Sequence, residues 1–275
     1  MFDFLFKEKI PTPTKHIYTP ISDFSKIFTY LYNKLGISDL EKRPIVQDRL
    51  SIIAQKYKLE KSEIFLEKLQ KDTIFHQEIV DAVTVNETFF LRETENLEWL
   101  VEYIAKREEV TKILSIPSSS GEEIYSILLL LHSKDPKLLS KVEITGIDIN
   151  QNAINKAIEA TYSQRSLHYV TQDMKMNYFI KEENLYKVSS ILKKQTTFKQ
   201  KNIFELSAQE IGTFNIILSR NLFIYFDKVS RTKATNKLIE LLAPNAILLL
   251  GHADILEDTH TKLSKIKNSI YLNQV

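Results

Sequence analysis

Carboxylates and small residues follow one another in this sequence in a pattern that is typical of nucleoside-binding sites. A strand-like run, 113–116, leads into a loop of small residues, 117–121, and the next strand-like run, 142–147, ends in Asp148. In a βαβ unit of this layout, the small-residue turn lets the backbone approach the ligand, and the acid after the second strand accepts hydrogen bonds from the ribose hydroxyls. The two stretches therefore predict a nucleoside site with Asp148 on the ribose.

Two further acids, Glu122 and Glu123, follow the loop directly. The loop lacks the G-x-G-x-x-G pattern, and carboxylates at this position would repel a pyrophosphate. They suit a ligand with a positive centre and no phosphate, and S-adenosylmethionine has a sulfonium, an amine and no phosphate. We therefore expect S-adenosylmethionine as the cofactor and S-adenosylhomocysteine as its product.

Three other segments carry polar side chains where a site is expected. The segment 86–93 places packed aromatics beside polar residues, which suits a lid over an adenosyl group, and Arg92 is able to bind a carboxylate through two hydrogen bonds. A capped helix start with a core phenylalanine pair explains the same pattern. The segment 219–226 follows a predicted strand, and its Tyr225 would face a sulfonium methyl or only fill the core. Asn202 ends another strand-like run, where its amide would read an adenine edge.

The bulk composition excludes several functional classes. The chain has 275 residues, 43% of them apolar and 26% charged, and its net charge of +2 is too small to indicate a nucleic-acid partner. The absence of cysteine excludes disulfides and thiolate metal sites, and the histidines lack metal-ligand spacing, so no metal is expected. No apolar run approaches the ~18 residues of a membrane span. The aromatic N-terminus is too short and too acidic for a signal peptide. We therefore expect a cytoplasmic protein that does not insert into a membrane.

The first third of the chain divides into a tail and a helical module. Residues 1–20 contain three prolines and are predicted to be non-helical. Residues 21–85 show apolar positions at spacings of three and four, which predicts helices, and Gly36 is a candidate end of the first one. Between Lys26 and Lys71 there are ten Lys or Arg and six Asp or Glu, so this module is mildly basic. Such a surface is either simply solvated or a docking face for an acidic partner.

From residue 113 onward, strand-like and helical patterns alternate, which predicts an α/β fold with a mostly parallel sheet. A sheet of this kind binds its ligand at the carboxyl ends of its strands. The alternation breaks over 167–201, which we interpret as a β insertion. Within it, Tyr186–Val188 and Thr196–Phe198 are expected to form short hairpin strands.

Taken together, the motifs resemble one family, the chemotaxis receptor glutamate O-methyltransferases called CheR, over about residues 24–271. The shared motifs stand in the family's order: Asn86-x-Thr88-x-Phe90-x-Arg92-Glu93, Ser120-Gly121-Glu122-Glu123-x-Tyr125-Ser126, Ile147-Asp148-Ile149, Tyr162-Ser-x-Arg165-Ser-Leu167, Arg220-Asn221-x-x-Ile224-Tyr225-Phe226 and Gly251-His252. One such motif is a weak signal, but six in order at fitting separations are specific.

The resemblance implies a Rossmann-like class I methyltransferase domain over 86–275, a small all-helical domain before it, and a small antiparallel β insertion. It implies transfer of a methyl group from S-adenosylmethionine to glutamate side chains on the cytoplasmic helices of methyl-accepting chemoreceptors, for adaptation in chemotaxis, by a monomer. By position in the motifs, the residues implied to contact the cofactor are Asn86, Thr88, Arg92, Glu122, Asp148, Asn202, Ile203, Ser219, Arg220 and Asn221. Arg92 and Tyr225 are implied to be catalytic, close to the reacting methyl group.

The sequence departs from the family at a few positions. Gly146 replaces a common acid, Leu91 a common aromatic and Ile124 a common proline, while Ala253 and Asp254 replace a Ser-Glu pair. None of these is a residue implied to be catalytic, so they bear on substrate preference more than on activity. Two alternatives stay open at this point: an S-adenosylmethionine-dependent methyltransferase with another substrate, and a related module that binds without turnover.

Overall fold

A computed structural model describes residues 19–256 and 262–274, so most of the predicted tail, 1–20, lies outside the described residues. The module that follows consists of four helices: α1 (Ser25–Leu35), α2 (Pro44–Lys56), α3 (Ser62–Lys71) and α4 (Thr73–Val83). Helix α1 ends where predicted, because Gly36 adopts the left-handed conformation (φ 69°) and donates its N–H to the Tyr32 carbonyl.

The chain then builds a seven-stranded sheet. Its strands are β1 (Thr111–Ser115), β2 (Val142–Asp148), β6 (Thr196–Gln200), β7 (Phe214–Ser219), β8 (Leu242–Leu250), β9 (Leu263–Lys267) and β10 (Ile270–Asn273). The order across the sheet is β6-β2-β1-β7-β8-β10-β9. The first five strands in this order are parallel, and β10 runs antiparallel to both of its neighbours. The strand order reverses between β1 and β7, and at such a switch point the carboxyl ends of the strands open a crevice for a ligand.

Helices connect and cover the strands. The longer ones are α5 (Thr94–Ala105), α6 (Glu122–Lys134), α7 (Gln151–Glu159) and α11 (Lys228–Leu241), and the shorter ones are α8 (Gln172–Tyr178), α9 (Ser190–Lys193) and α10 (Ala208–Ile211). No helix in the described ranges has both the length and the apolarity needed to cross a bilayer.

A second, three-stranded antiparallel sheet confirms the expected small antiparallel β unit, but its first strand precedes the predicted bounds of 167–201, which stay a prediction. It consists of β3 (Thr161–Ser163), β4 (Phe179–Glu182) and β5 (Leu185–Val188) in the order β3-β5-β4. The prediction that Thr196–Phe198 is a hairpin strand of the insertion is wrong, because β6 pairs in parallel with β2 at the edge of the large sheet.

The buried residues form one core on each face of the large sheet. On one face, α5 and α6 pack with the insertion. On the other, the apolar stripes of α1–α4 share a continuous core with α11 and with sheet residues such as Leu114, Ile147 and Ile217. The helical module is therefore held against the sheet by shared apolar burial, which fixes it beside the crevice. The division of the chain at residues 85 and 86 into two domains stays a prediction.

Candidate active site

A cavity of about 940 Å³ opens at the carboxyl ends of β1, β2 and β7. This volume falls within the roughly 300–1,000 Å³ of small-molecule sites. Nearly all of the site residues predicted from the sequence line it: Asn86, Thr88, Arg92, Glu122, Asp148, Asn202, Ile203, Arg220, Asn221 and Tyr225. Ser219 does not line it, since this residue is fully buried at the end of β7 and its hydroxyl has no hydrogen-bond partner among the described residues.

The loop after β1 places Glu122 in the cavity wall. Gly121 adopts the left-handed conformation (φ 91°), and a side chain there would approach the Ala157 Cβ at 3.0 Å. The loop therefore turns tightly into α6. Glu122 is 3% exposed and accepts a hydrogen bond from the Ser120 hydroxyl at 2.8 Å. Burial raises its pKa to about 7 against the opposing effects of Ser120 and Lys156.

Asp148 ends β2 beside this loop, where the sequence predicts a ribose-binding acid. Its two carboxylate oxygens accept backbone N–H groups, one from Ser119 at 2.8 Å and one from Asn150 at 2.9 Å. Each oxygen keeps a lone pair for a ligand hydroxyl. Burial raises the pKa of Asp148 to about 6, although the backbone N–H groups oppose the rise.

The segment after α4 forms one wall, with Asn86, Thr88 and Arg92 at the cavity. The Asn86 carbonyl accepts the Ser119 hydroxyl at 3.3 Å, which joins this wall to the loop after β1. The Arg92 guanidinium lies 5.7 Å from the centre of the Phe89 ring and donates one long hydrogen bond, 3.4 Å, to a backbone carbonyl. No carboxylate among the described residues lies within 4.0 Å of it. This guanidinium is therefore able to bind an incoming carboxylate.

Unlike Arg92, Arg220 is surrounded by carboxylates. Its side chain is 3% exposed, and it forms ion pairs with Glu123 at 2.7 Å and Glu93 at 3.2 Å. It also donates to the Arg92 carbonyl. The sequence predicts that Arg220 contacts the cofactor, but in the structure its guanidinium is already bonded to oxygen atoms of the protein.

The loop after β7 carries Asn221 and Tyr225 to the cavity. Asn221 adopts a left-handed conformation (φ 60°). The Asp254 carboxylate fixes this loop, because it accepts the backbone N–H groups of Asn221, Phe223 and Gly251. Asp254 is one of the positions where the sequence departs from the family, and its carboxylate holds the loop after β7 in place.

The helical module closes the cavity beside Tyr225. Ile37 forms a β-bridge with Phe226, and the Ser38 N–H donates to the Tyr225 carbonyl at 2.9 Å. The Arg43 guanidinium lies 5.5 Å from the centre of the Tyr225 ring. Burial raises the pKa of Tyr225, and the charges of Arg43 and Arg92 oppose that rise.

Asn202 and Ile203 follow β6 at another part of the wall. The Asn202 side chain accepts the Phe204 N–H at 3.0 Å and donates to the Lys34 carbonyl at 2.9 Å. The amide predicted to read an adenine edge is therefore already bonded to the protein through both of its polar atoms. Ile203 is 7% exposed and adds an apolar surface.

Sequence reasoning missed several charged or ionisable residues of the cavity wall: Arg43, Lys156, Arg165, His168 and Lys201. Arg165 stands in one of the family motifs, which is a usable signal. Arg43 belongs to the helical module and to none of those motifs, so only the tertiary structure brings it here. No metal-binding cluster of acids and histidines occurs in the parts of the chain that the structure describes.

Comparison with known proteins identifies the relatives of this chain. The family model described as "CheR methyltransferase, SAM binding domain" matches residues 86–272. The chemotaxis protein methyltransferase of Campylobacter jejuni strain 81-176 is 32% identical over 253 residues, which cover 92% of this chain and 93% of that protein. Chemotaxis protein methyltransferase 2 of Vibrio cholerae is 34% identical over 248 residues, 85% of each chain. Among solved structures, the N-methyltransferase NodS from Bradyrhizobium japonicum covers 66% of this chain and 97% of its own, at 16% identity and a TM-score of 0.40.

The match spans both the cavity and the helical module, and it confirms the cofactor and the family expected from the motifs. The chain therefore belongs to the CheR methyltransferase family and is an S-adenosylmethionine-dependent methyltransferase of chemotaxis.

Proposed function

We propose that the protein transfers the methyl group to glutamate side chains on the cytoplasmic helices of chemoreceptors. The observation that carries this proposal is the contrast within one cavity: buried carboxylates, Glu122 and Asp148, lie in its wall, while the Arg92 guanidinium has no carboxylate partner among the described residues. The acids suit a cationic nucleoside, and the guanidinium suits a second ligand that carries a carboxylate.

The residues present fit S-adenosylmethionine. Asp148 offers one lone pair on each carboxylate oxygen to ribose hydroxyls, and Glu122 offers a buried negative charge to a cationic group. When bound, the cofactor supplies a methyl group on a sulfonium, a carbon that an oxygen nucleophile attacks in line with the departing sulfur. Asn86, Thr88, Ile203 and Asn221 would complete the contacts from the surrounding wall.

The reaction needs positioning more than proton transfer. A glutamate carboxylate, with an ordinary pKa near ~4.3, is already ionised at neutral pH and needs no general base. Holding the reacting atoms in line and excluding water supplies roughly 7–11 kcal/mol of the barrier in favourable cases. Arg92 is the group proposed to orient the substrate carboxylate, since Arg220, which contacts the same wall segment, is already paired with two acids. Tyr225 is proposed to shape the pocket for the methyl group.

The substrate side of the proposal draws on the helical module. It contributes Arg43 beside Tyr225, and its surface carries more basic than acidic residues. Receptor methylation helices carry acidic residues, so opposite charges would bring the two proteins together. Cytoplasmic location and action as a monomer belong to this proposal, because the acceptor helices lie in the cytoplasm and one chain contains every residue assigned to the site.

Methyl transfer to a receptor cytoplasmic fragment tests the proposal directly. We expect labelled methyl groups on the fragment and none on a version with its glutamates changed to alanine. Arg92→Ala and Tyr225→Phe should lower kcat far more than they weaken cofactor affinity measured by calorimetry with S-adenosylhomocysteine. Equal losses in kcat and affinity would assign both residues to cofactor binding alone. Cofactor binding with no labelled fragment would instead favour another methyl acceptor.

A further inference from the structure

Arg220 is buried in a network that cofactor binding does not explain. Its Nη1 donates to the Glu123 Oε2 at 2.7 Å, its Nη2 lies 3.2 Å from the Glu93 Oε2, and it also donates to the Arg92 carbonyl. Glu123 is held in turn by the Ser115 hydroxyl at 2.9 Å, at the end of β1. One guanidinium therefore joins two strand ends of the sheet to the backbone of the segment that carries Arg92.

That segment contains a strained turn. The residues on both sides of Arg92 adopt left-handed backbone conformations, Leu91 with φ 62° and Glu93 with φ 52°. Neither is glycine or asparagine, so each conformation costs free energy and persists only where the surrounding structure enforces it. Backbone strain of this kind concentrates at active sites and ligand-binding positions.

Side chains hold three backbone groups of the turn. The Leu91 N–H donates to the Ser126 hydroxyl at 2.9 Å, and the Leu91 carbonyl accepts the Thr94 hydroxyl at 2.6 Å. The Arg92 carbonyl is taken by Arg220. Beyond its own backbone, the Arg92 guanidinium has only the Phe89 ring at 5.7 Å and one 3.4 Å hydrogen bond to hold it, among the described residues. Its direction is therefore set mainly by the turn.

We propose that Arg220 is a positioning residue, which with Glu93 and Glu123 holds the strained turn 91–93 and so points the Arg92 guanidinium at the substrate carboxylate. The inference rests on the proposed function of Arg92. Arg220 itself touches neither substrate nor reacting atoms; it acts through the Arg92 backbone.

A double-mutant cycle on the full-length enzyme tests this. Arg220→Lys keeps one positive charge between the two acids but loses the planar fork that reaches three partners. We expect it to lower kcat by roughly 100-fold, the effect of a misplaced catalytic group, with little change in affinity for S-adenosylhomocysteine. In the Arg92→Ala background, the same change should alter kcat by less than about two-fold, because the group that Arg220 positions is already absent.

The controls separate positioning from general stability. Arg107→Lys makes the same chemical change at a guanidinium that donates to the Tyr103 hydroxyl outside the cavity lining, and should leave kcat unchanged. If Arg220→Lys does not fold, Glu123→Gln replaces it in the cycle and should give a smaller loss of kcat, again only when Arg92 is present. If Arg220→Lys lowers kcat by the same factor in the wild type and in Arg92→Ala, the positioning role of Arg220 is overturned and the proposed function of Arg92 is not. An Arg92→Ala enzyme with normal kcat would overturn both this role and the proposed function of Arg92.

Discussion

Burial gives two carboxylates of the cavity wall, Glu122 and Asp148, an unusual affinity for protons. Glu122 is 3% exposed and its pKa is raised to about 7, while Asp148 is 3% exposed and its pKa is raised to about 6. In both cases removal from water is the main cause, because it disfavours the charged form. A cationic ligand stabilises the charged form of the carboxylate that burial destabilises. Ligand binding and loss of the proton should therefore be coupled at Glu122.

Cofactor affinity should therefore depend on pH near neutrality. Below a pKa of about 7, Glu122 holds a proton in the free enzyme and must lose it to bind a cation, so affinity should rise as pH increases from about 6 to about 8 and then level off. Calorimetry at about pH 6.5 in buffers of different ionisation enthalpy should detect proton release on binding. Glu122→Gln should bind more weakly and lose most of this dependence, keeping the smaller part that belongs to Asp148. Equal wild-type affinity at both ends of this pH range would contradict the coupling.

Asp148 should matter chiefly for cofactor binding. Asp148→Ala removes the acceptor proposed for the ribose and leaves the Ser119 and Asn150 N–H groups without their partner. Hydrogen bonds to a charged group contribute about 1.5–3 kcal/mol each, so the loss of even one should raise the dissociation constant of S-adenosylhomocysteine roughly 10- to 100-fold, and the loss of two should raise it further. At saturating cofactor, kcat should fall much less. A variant with unchanged affinity and lost turnover would place the ribose elsewhere.

At the scale of elements, Gly146 shows how one strand residue supports the site. A Cβ at this position of β2 would lie 2.6 Å from the Phe198 Cδ1 and 2.7 Å from the Ile124 Cδ1. The family's common acid would not fit, because the β6 ring occupies its space. Ile124 and Glu122 both belong to the first turn of α6, so a displacement of Ile124 would also shift Glu122.

We expect Gly146→Ala to overpack this contact and to lower the free energy of unfolding by about 1–3 kcal/mol. Adding Phe198→Leu removes part of the clash, so the double variant should be more stable than the sum of the two single changes predicts. Denaturant midpoints of the wild type, the two single variants and the double variant measure this. Strict additivity would mean that the backbone of β2 moves aside instead of the ring.

The elements also show what sequence patterns reveal and what they hide. The sequence predicts β7 with its observed bounds, since Phe214–Ser219 is a short apolar run typical of a strand buried on both faces. The sequence also predicts a strand at Thr196–Phe198, which β6 confirms, but it assigns this strand to the insertion instead of the large sheet. Since β6 lies at the sheet edge and its burial alternates, Thr196–Gln200 has no continuous apolar run that would mark it as a strand of the large sheet. The Arg220 network is invisible in the sequence for a different reason: its acidic partners lie 97 and 127 positions away along the chain, and no local spacing records such a contact.

At the scale of the whole molecule, the charge of the helical module is only partly neutralised within the chain. Five of its lysines pair with carboxylates: Lys26, Lys42, Lys56, Lys68 and Lys71. Five other basic residues have no carboxylate within 4.0 Å among the described residues: Lys34, Arg43, Arg49, Lys58 and Lys61. Arg43 reaches the cavity wall itself, so this charge extends from the module surface to the site.

The rate of association with an acidic receptor fragment should therefore fall as salt is added, because exposed charges are screened over about 8–10 Å at physiological ionic strength. The double change Lys58→Glu with Lys61→Glu should lower this rate and weaken its salt dependence, while kcat at saturating substrate stays close to the wild-type value. Lys265→Glu with Lys267→Glu changes the net charge equally at exposed positions of β9, an edge strand of the large sheet, and serves as the matched control. Stopped-flow association at several NaCl concentrations measures both pairs. If the two double variants slow association equally, the net charge of the protein and not the helical module governs the encounter. If the association rate does not depend on salt, charge does not steer the encounter.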